Sequence, residues 1–352
     1  MKSGCLFLLC FLTLFKVSFS QTTFTVISNN GLNLRETPDR NGRVLAAAPL
    51  GAKVIVFTKQ KGGYGKVEYD PPARRDTIGQ LFSTRYNSRQ AGHAGYWWKA
   101  RYGEKTGYMF SGFLADSALL HNSSQKELNN HFRLRTTEGN AGATNNPEFD
   151  PNWHWYGVFQ QPDSQFAVKK VNLRYAVKDF TGEDGVYNFY SRAIIIQTEP
   201  PESPVFIVGT RTVWKERSGI EGFWQLNDPQ AQYIRNVPNT GEFDPVFMKK
   251  HGIEVVREKI QVEGRWPMER WDWHILGEGG RRQRMAPLNV ENNYEASLSY
   301  LVWAGDLDGD GETDYLLSAM GEMGYYVLYL STQTGNGAVA KPAAVLWTWY
   351  TC

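Results

Sequence analysis

Apolar residues in this chain fall in short runs broken by Gly, Pro, Asn and Asp, and the spacing of three to four that marks a helix is nearly absent. Leu32 and Leu34 alternate with polar neighbours, Val44 and Leu45 follow, and Pro49-Leu50-Gly51 turns the chain into Val54, Ile55, Val56 and Phe57. That pattern predicts strand, turn, strand. A second stretch has the same form: Trp97 and Trp98 open a strand, residues 103–105 turn it, and Tyr108, Met109, Phe110 and Leu114 close it. Further on, strands are expected at 166–177, 187–197, 205–214, 222–225, 257–262, 271–276, 297–303, 315–319, 325–331 and 343–349. Runs such as RAIIIQT and PVFIVGTRTVW are β-branched and end near Pro or Gly. Helix is expected at 245–251, with one further short helix near 126–132.

The fold class predicted is therefore all-β. A small barrel occupies 21–116, a polar linker rich in Asn, Gly and Thr occupies 117–151, and a larger all-β domain, sandwich-like or irregular, occupies 152–352. The strands of the larger domain show no fixed period, which disfavours a symmetric propeller. Within the first unit, LNLRETPDRNGRVL, then a G-x-K-V strand, then W-x-K-A-R-Y-G-x-K-T-G-Y and a final Phe113-Leu114 resemble the bacterial SH3-like (SH3b) family, in order and over most of a domain. The resemblance implies a recognition module for cell-wall peptide or another envelope ligand, of the kind that targets a neighbouring domain.

An insertion at 61–95 separates the two halves of that pattern. It interleaves Lys61, Lys66, Arg74, Arg75, Arg85 and Arg89 with Tyr64, Tyr69, Phe82 and Tyr86. Basic aromatic loops stack on ligands and pair with their anionic groups, so Arg74, Arg75, Arg85, Tyr64 and Tyr86, with Trp97 and Trp98 beside them, form the candidate ligand site. The alternative is an ordered excursion whose aromatics cover the barrel or the other domain.

The N-terminus changes the compartment. Lys2, an apolar run at 6–15 and Val17-Ser18-Phe19-Ser20 form a secretory signal peptide, with cleavage expected after Ser20. The run is too short to serve as a transmembrane anchor. The expected location is periplasmic or extracellular. Cys5 and Cys10 would leave with the signal, so Cys352 alone remains and no internal disulfide is expected. Charge divides along the chain: residues 21–120 hold 14 Lys and Arg against 7 Asp and Glu, and residues 121–352 hold 22 against 29. A basic first unit suits anionic wall polymers or is simply a solvated face. Nucleic acid is not an expected partner of an exported chain.

The sharpest local chemistry is Asp306-Leu307-Asp308-Gly309-Asp310-Gly311-Glu312-Thr313-Asp314. Carboxylates at positions one, three, five and nine, and a glycine at six, are spaced to wrap calcium in oxygens, with the carbonyl of Glu312 at position seven. Position twelve is Leu317, and a strand-like YLLSAM follows, so the bidentate glutamate and flanking helices of an EF-hand are missing. The loop resembles the D-x-D-x-D-G-x-x-D calcium loops of FG-GAP and integrin-type repeats. That resemblance implies Ca2+ and ligand roles for Asp306, Asp308, Asp310, Glu312 and Asp314. A staple between two strands is the expected role, since metal catalysis needs an open coordination position and a nearby base.

No nucleophile elbow, zinc-protease helix or phosphate-cradling loop is present. His154 and His274 lie in aromatic clusters, Trp153-His154-Trp155-Tyr156 and Trp271-Asp272-Trp273-His274, where histidine is commonly a structural hydrogen-bonder. With Trp266 and Trp303 these clusters read either as core pairs or as a sugar-stacking platform. The expected function is an exported, non-enzymatic binding protein. The alternative is a cell-wall or carbohydrate hydrolase using acids such as Glu183, Asp184 or Asp272 in the C-terminal domain.

Overall fold

A computed structural model describes residues 20–60, 67–69, 75–78, 93–116, 120, 128, 130–136, 147–163, 165–180, 191–199, 204–224, 245–260, 268–285, 298–320, 323–333 and 338–349. Most of these residues are in strands, and every strand pairing is antiparallel, so the all-β class holds. The first unit contributes β1 (Ser20–Val26), β2 (Leu32–Arg35), β3 (Val44–Ala48), β4 (Lys53–Gln60), β5 (Val67–Tyr69), β6 (Arg75–Ile78), β7 (His93–Tyr102), β8 (Lys105–Phe110) and β9 (Leu114–Asp116). They form one sheet in the order β3-β2-β8-β7-β4-β1-β9, with β5 added to β4 and β6 to β7. Among the described residues the ladder runs open from β3 to β9, so the expected barrel is a sheet whose two end strands do not pair. The two halves of the sequence pattern meet in it, through Arg35 on β2 opposite Tyr108 on β8. Phe24, Leu34, Val54, Val56, Trp98, Met109 and Leu114 pack as its core.

The larger unit contains β10 (Phe132–Arg135), β11 (His154–Gln160), β12 (Gln165–Lys170), β13 (Asn172–Phe180), β14 (Ser191–Glu199), β15 (Phe206–Thr210) and β16 (Arg217–Glu221). It continues with β17 (Phe223–Trp224), helix α1 (Pro245–Lys250), β18 (Ile253–Ile260), β19 (Met268–Gly277) and β20 (Arg281–Arg284). β21 (Leu298–Gly305), β22 (Asp314–Met320), β23 (Met323–Leu330) and β24 (Lys341–Trp349) complete it. One five-stranded sheet has the order β10-β15-β11-β12-β16 and another β17-β21-β22-β23-β24; β13 pairs β14, and β18-β19-β20 form a third, smaller sheet.

Two expectations are corrected here. Residues 132–135, placed in the linker and next to a short helix, form β10 and pair in register with β15, because Phe132 and Leu134 bury on one face of that sheet. The run at 166–177 is two strands in different sheets, divided at Val171, whose N–H donates to the Trp155 carbonyl.

The alternation of side chains across each strand explains the layering. Tyr156, Val158, Phe166, Val168, Phe206 and Val208 point from the first five-stranded sheet onto Val302, Trp303, Leu316, Leu328 and Leu346 of the second. Trp303 sits wholly buried in this seam, edge-on to Phe206 (5.4 Å) and Phe166 (6.1 Å). The intervening residues Leu301, Tyr315, Leu317, Tyr325, Val327 and Val345 bury the opposite face against Ile253, Trp273 and Ile275 of the small sheet and Met285 just after it. A sheet covered on both faces loses the apolar-polar alternation of a half-exposed one, and so its strands read as continuous apolar runs. On the far side, Trp155, Phe159 and Ile207 pack on Leu173, Tyr175, Val177, Ile194 and Ile196, together with Ile27 and Ala115 of the first unit. The Asn29 side-chain amide also donates to the Leu173 carbonyl. The two units are therefore joined by shared apolar packing, which their opposite net charges do not require.

Candidate metal centre

The loop 306–314 connects β21 to β22 at one end of the seam. Asp306, Asp308 and Asp314 each bring a carboxylate oxygen to within 4.8 Å of the others, and among the described residues this is the one group of three or more His, Cys, Asp or Glu side chains so close. Asp310 stands aside from that trio. Its carboxylate accepts from the Glu312 N–H at 2.8 Å and from the Ser331 hydroxyl at 2.7 Å. The loop folds as its sequence dictates: Asp306 accepts from the N–H groups of Gly309 (2.7 Å) and Gly311 (3.3 Å), and Asp308 from that of Asp310 (3.3 Å). Gly309 and Gly311 have φ of 90° and 92°, conformations that L side chains rarely adopt. The spacing argument accounts for Gly311 but not for Gly309.

Asp314 is the anchor. It is completely buried, and its two oxygens accept from the N–H of Leu307 and the N–H of Ser331, both at 2.8 Å. One carboxylate thus ties the entrance of the loop to its exit and to the end of β23. Burial, reinforced by the nearby Asp308 charge, pushes its pKa up to about 8. Burial also raises Asp308, whose carboxylate is approached by the Thr332 hydroxyl at 2.5 Å. Carboxylates held together and partly desolvated in this way are what a bound cation relieves, and an all-oxygen donor set suits a hard divalent ion.

The surroundings complete the clamp. Arg217 of β16 pairs with Asp306 at 3.0 Å from the opposite sheet. On the other side, His251 follows α1, with Nδ1 3.2 Å from the Thr313 hydroxyl, and its carbonyl accepts from the Tyr315 hydroxyl at 2.9 Å. Lys250 pairs with Glu221 of β16. Burial lowers the His251 pKa below 6.5; the Glu221 carboxylate opposes this and the Lys250 ammonium adds to it.

The expected ligand site fares differently. Trp97 and Trp98 are 3% and 2% exposed, packed against Phe110 and Phe24 respectively, so they are core residues and offer no open face. The reason is that both adjacent side chains of β7 are covered, one on each face of the sheet. Arg75 heads β6 opposite Tyr96, while Tyr64, Arg74, Arg85 and Tyr86 lie outside the described residues. Of the two readings of the aromatic clusters, core pairing holds for Trp153, Trp155, Trp273 and Trp303, all buried, while Trp266 lies outside the described residues. Trp153 lies between the guanidinium groups of Arg211 (4.2 Å) and Arg133 (4.5 Å), which pair with Asp150 and Glu148. His154 and His274 are partly buried and belong to no metal-binding group among the described residues. Of the acids weighed for hydrolysis, Glu183 and Asp184 lie outside the described residues and Asp272 stands opposite Val256 in the β18–β19 ladder. No protein-family model, curated protein or solved structure matches this chain.

Two predictions follow from this geometry. In chelator, Asp314→Ala strands two buried N–H groups and should lower stability by on the order of 3 kcal/mol, whereas Asp308→Ala, which removes a crowded charge, should change it little; denaturant unfolding measures both. For His251, the unfolded ring binds a proton at a higher pH than the folded one, so its contribution is complete above pH 6.5 and is lost as pH falls below that value. Thermal unfolding across that window should show a decline with acidification that is shallower in His251→Gln.

Proposed function

We propose that the chain is an exported, non-enzymatic binding protein. Its SH3b-like first unit recognises cell-wall peptide or another envelope ligand, and a calcium ion staples the larger unit at 306–314. The observation that carries the recognition half is the meeting of the LNLR and WWKARYGEKTGYMF segments in one sheet, with β2 against β8. Their order in the sequence is the order of the SH3b pattern, and their pairing makes one unit of them. The basic insertion, part of which extends that sheet as β5 and β6, remains the element to which Arg74 and Arg85 would lend selectivity for anionic groups.

For the calcium half, the support is the convergence of Asp306, Asp308 and Asp314. These would hold the ion, with Asp310 and the Glu312 carbonyl as the further ligands that the loop spacing calls for. Bound there, calcium supplies charge neutralisation. The protein does the rest: Asp314 fixes the loop ends, and the glycines let it turn. A staple at this place stabilises the end of the second five-stranded sheet, because the loop joins β21 to β22 and Asp314 ties it to the end of β23.

Calcium should raise the melting temperature over chelator, by an amount equivalent to about 2.7 kcal/mol at a hundredfold excess over Kd, and Asp308→Ala should abolish the rise. An unchanged melting temperature in the wild-type chain would remove calcium from the account. For recognition, the full-length protein should co-sediment with insoluble cell wall, and the double variant Arg74→Glu/Arg85→Glu should do so less. Wild-type protein left wholly in the supernatant at both low and physiological ionic strength would eliminate the wall as ligand.

A further inference from the structure

Arg217 reaches the loop from the facing sheet, 89 residues away in sequence. Its Nη1 donates to the Asp306 carboxylate at 3.0 Å, and its Nη2 donates to the carbonyls of Asp306 at 2.9 Å and Leu307 at 2.6 Å. The guanidinium fork thus grips both the side chain and the backbone of the loop's first residues. Space for it comes from Gly309: a Cβ there would stand 3.1 Å from the Arg217 Cζ, whereas at Gly311 nothing lies within 4 Å. Gly309 therefore has two reasons to be glycine, its φ and the guanidinium beside it. The two side chains are 22% and 28% exposed, a pair only partly screened by water.

We propose that Arg217 is a resident counter-cation that shares Asp306 with the metal. In the metal-free protein it neutralises part of the carboxylate cluster and keeps the loop in shape. In the loaded protein its positive charge stands beside the ion and weakens metal binding. The inference rests on the calcium reading of the loop and adds to it a second cation acting on the same carboxylate. Linkage makes the relation reciprocal: whatever Arg217 costs the metal in affinity, the metal costs the Arg217–Asp306 pair. Arg217 also bridges the two five-stranded sheets, so calcium occupancy and the strength of that bridge are coupled. The loop is then a site of tuned affinity, built to stay folded when calcium is scarce.

The test compares full-length wild type, Arg217→Gln and Arg217→Lys, by thermal unfolding in chelator and by calorimetric titration with calcium chloride. Arg217→Gln should melt lower in chelator yet bind calcium about three- to tenfold more tightly, which closes part of the stability gap at saturation. Arg217→Lys keeps the charge but loses the fork. It should melt lower in chelator while binding calcium within about twofold of wild type, and it carries the test if the glutamine variant does not fold without metal. If wild type binds calcium and Arg217→Gln binds it no more tightly, the shared-carboxylate inference fails while the calcium reading stands. A severalfold gain in Arg217→Lys would also overturn it, since the charge is retained. If wild type binds no calcium, both fail.

Discussion

Charge compensation at one loop is the constraint around which the larger unit is arranged. Residues 306–314 gather carboxylates at the end of a seam between two sheets, and one of them, Asp314, is buried completely. A carboxylate in such a place is tolerable only if hydrogen bonds and cations answer it. The answers come from several elements. Leu307 and Ser331 give backbone N–H groups to Asp314, Ser331 gives a hydroxyl to Asp310, and Arg217 gives a guanidinium to Asp306. Each donor fixes a segment relative to the loop: the 3-10 turn at Ser331–Gln333 after β23, and β16 in the opposing sheet. The electrostatics of the cluster and the alignment of the sandwich are thus one problem.

The remainder of the architecture is set by burial on both faces. Trp303 and Leu316 point into one core while Leu301, Tyr315 and Leu317 point into the next, so the sheet carrying the 306–314 loop is covered on both sides. A loop that emerges from such a sheet has rigid ends. That rigidity is what lets a few carboxylates stay close together without spreading, and it links the packing of the strands to the chemistry of the loop. The same layered logic joins the two units, since Ile27 and Ala115 enter the core that Trp153, Trp155 and Leu173 share.

Much of this was legible in the sequence, and the exceptions have physical causes. Strands rich in β-branched and aromatic residues, such as β14, β15, β21 and β24, announce themselves. β16 and β20 do not: RSGIE and RRQR carry almost no apolar period and are strands because a partner strand orders them. β10 was hidden because it is short and follows a polar stretch. The loop's carboxylate spacing and Gly311 could be read directly, since local turn geometry decides them. Arg217 could not, because it is brought to the loop only by the packing of two sheets. Gly309 answers to two constraints that the spacing does not show, a positive φ and a guanidinium that only the fold supplies. The misplaced ligand roles of Trp97 and Trp98 have the opposite cause: adjacent tryptophans look exposed on one face, but β7 is covered on both.

The proposed function divides between a first unit that would recognise a ligand and a larger unit that gathers its charge at one loop. The central claim is that Asp314 pins the loop and that a cation completes it. Amide hydrogen exchange at Leu307 and Ser331, followed in chelator and in calcium, tests this most directly, because those two N–H groups are the ones Asp314 holds. The account predicts slow exchange at both in chelator and a further slowing in calcium that extends over 306–314. Exchange at both near the rate of an unstructured chain in chelator, with no change on adding calcium, would contradict it.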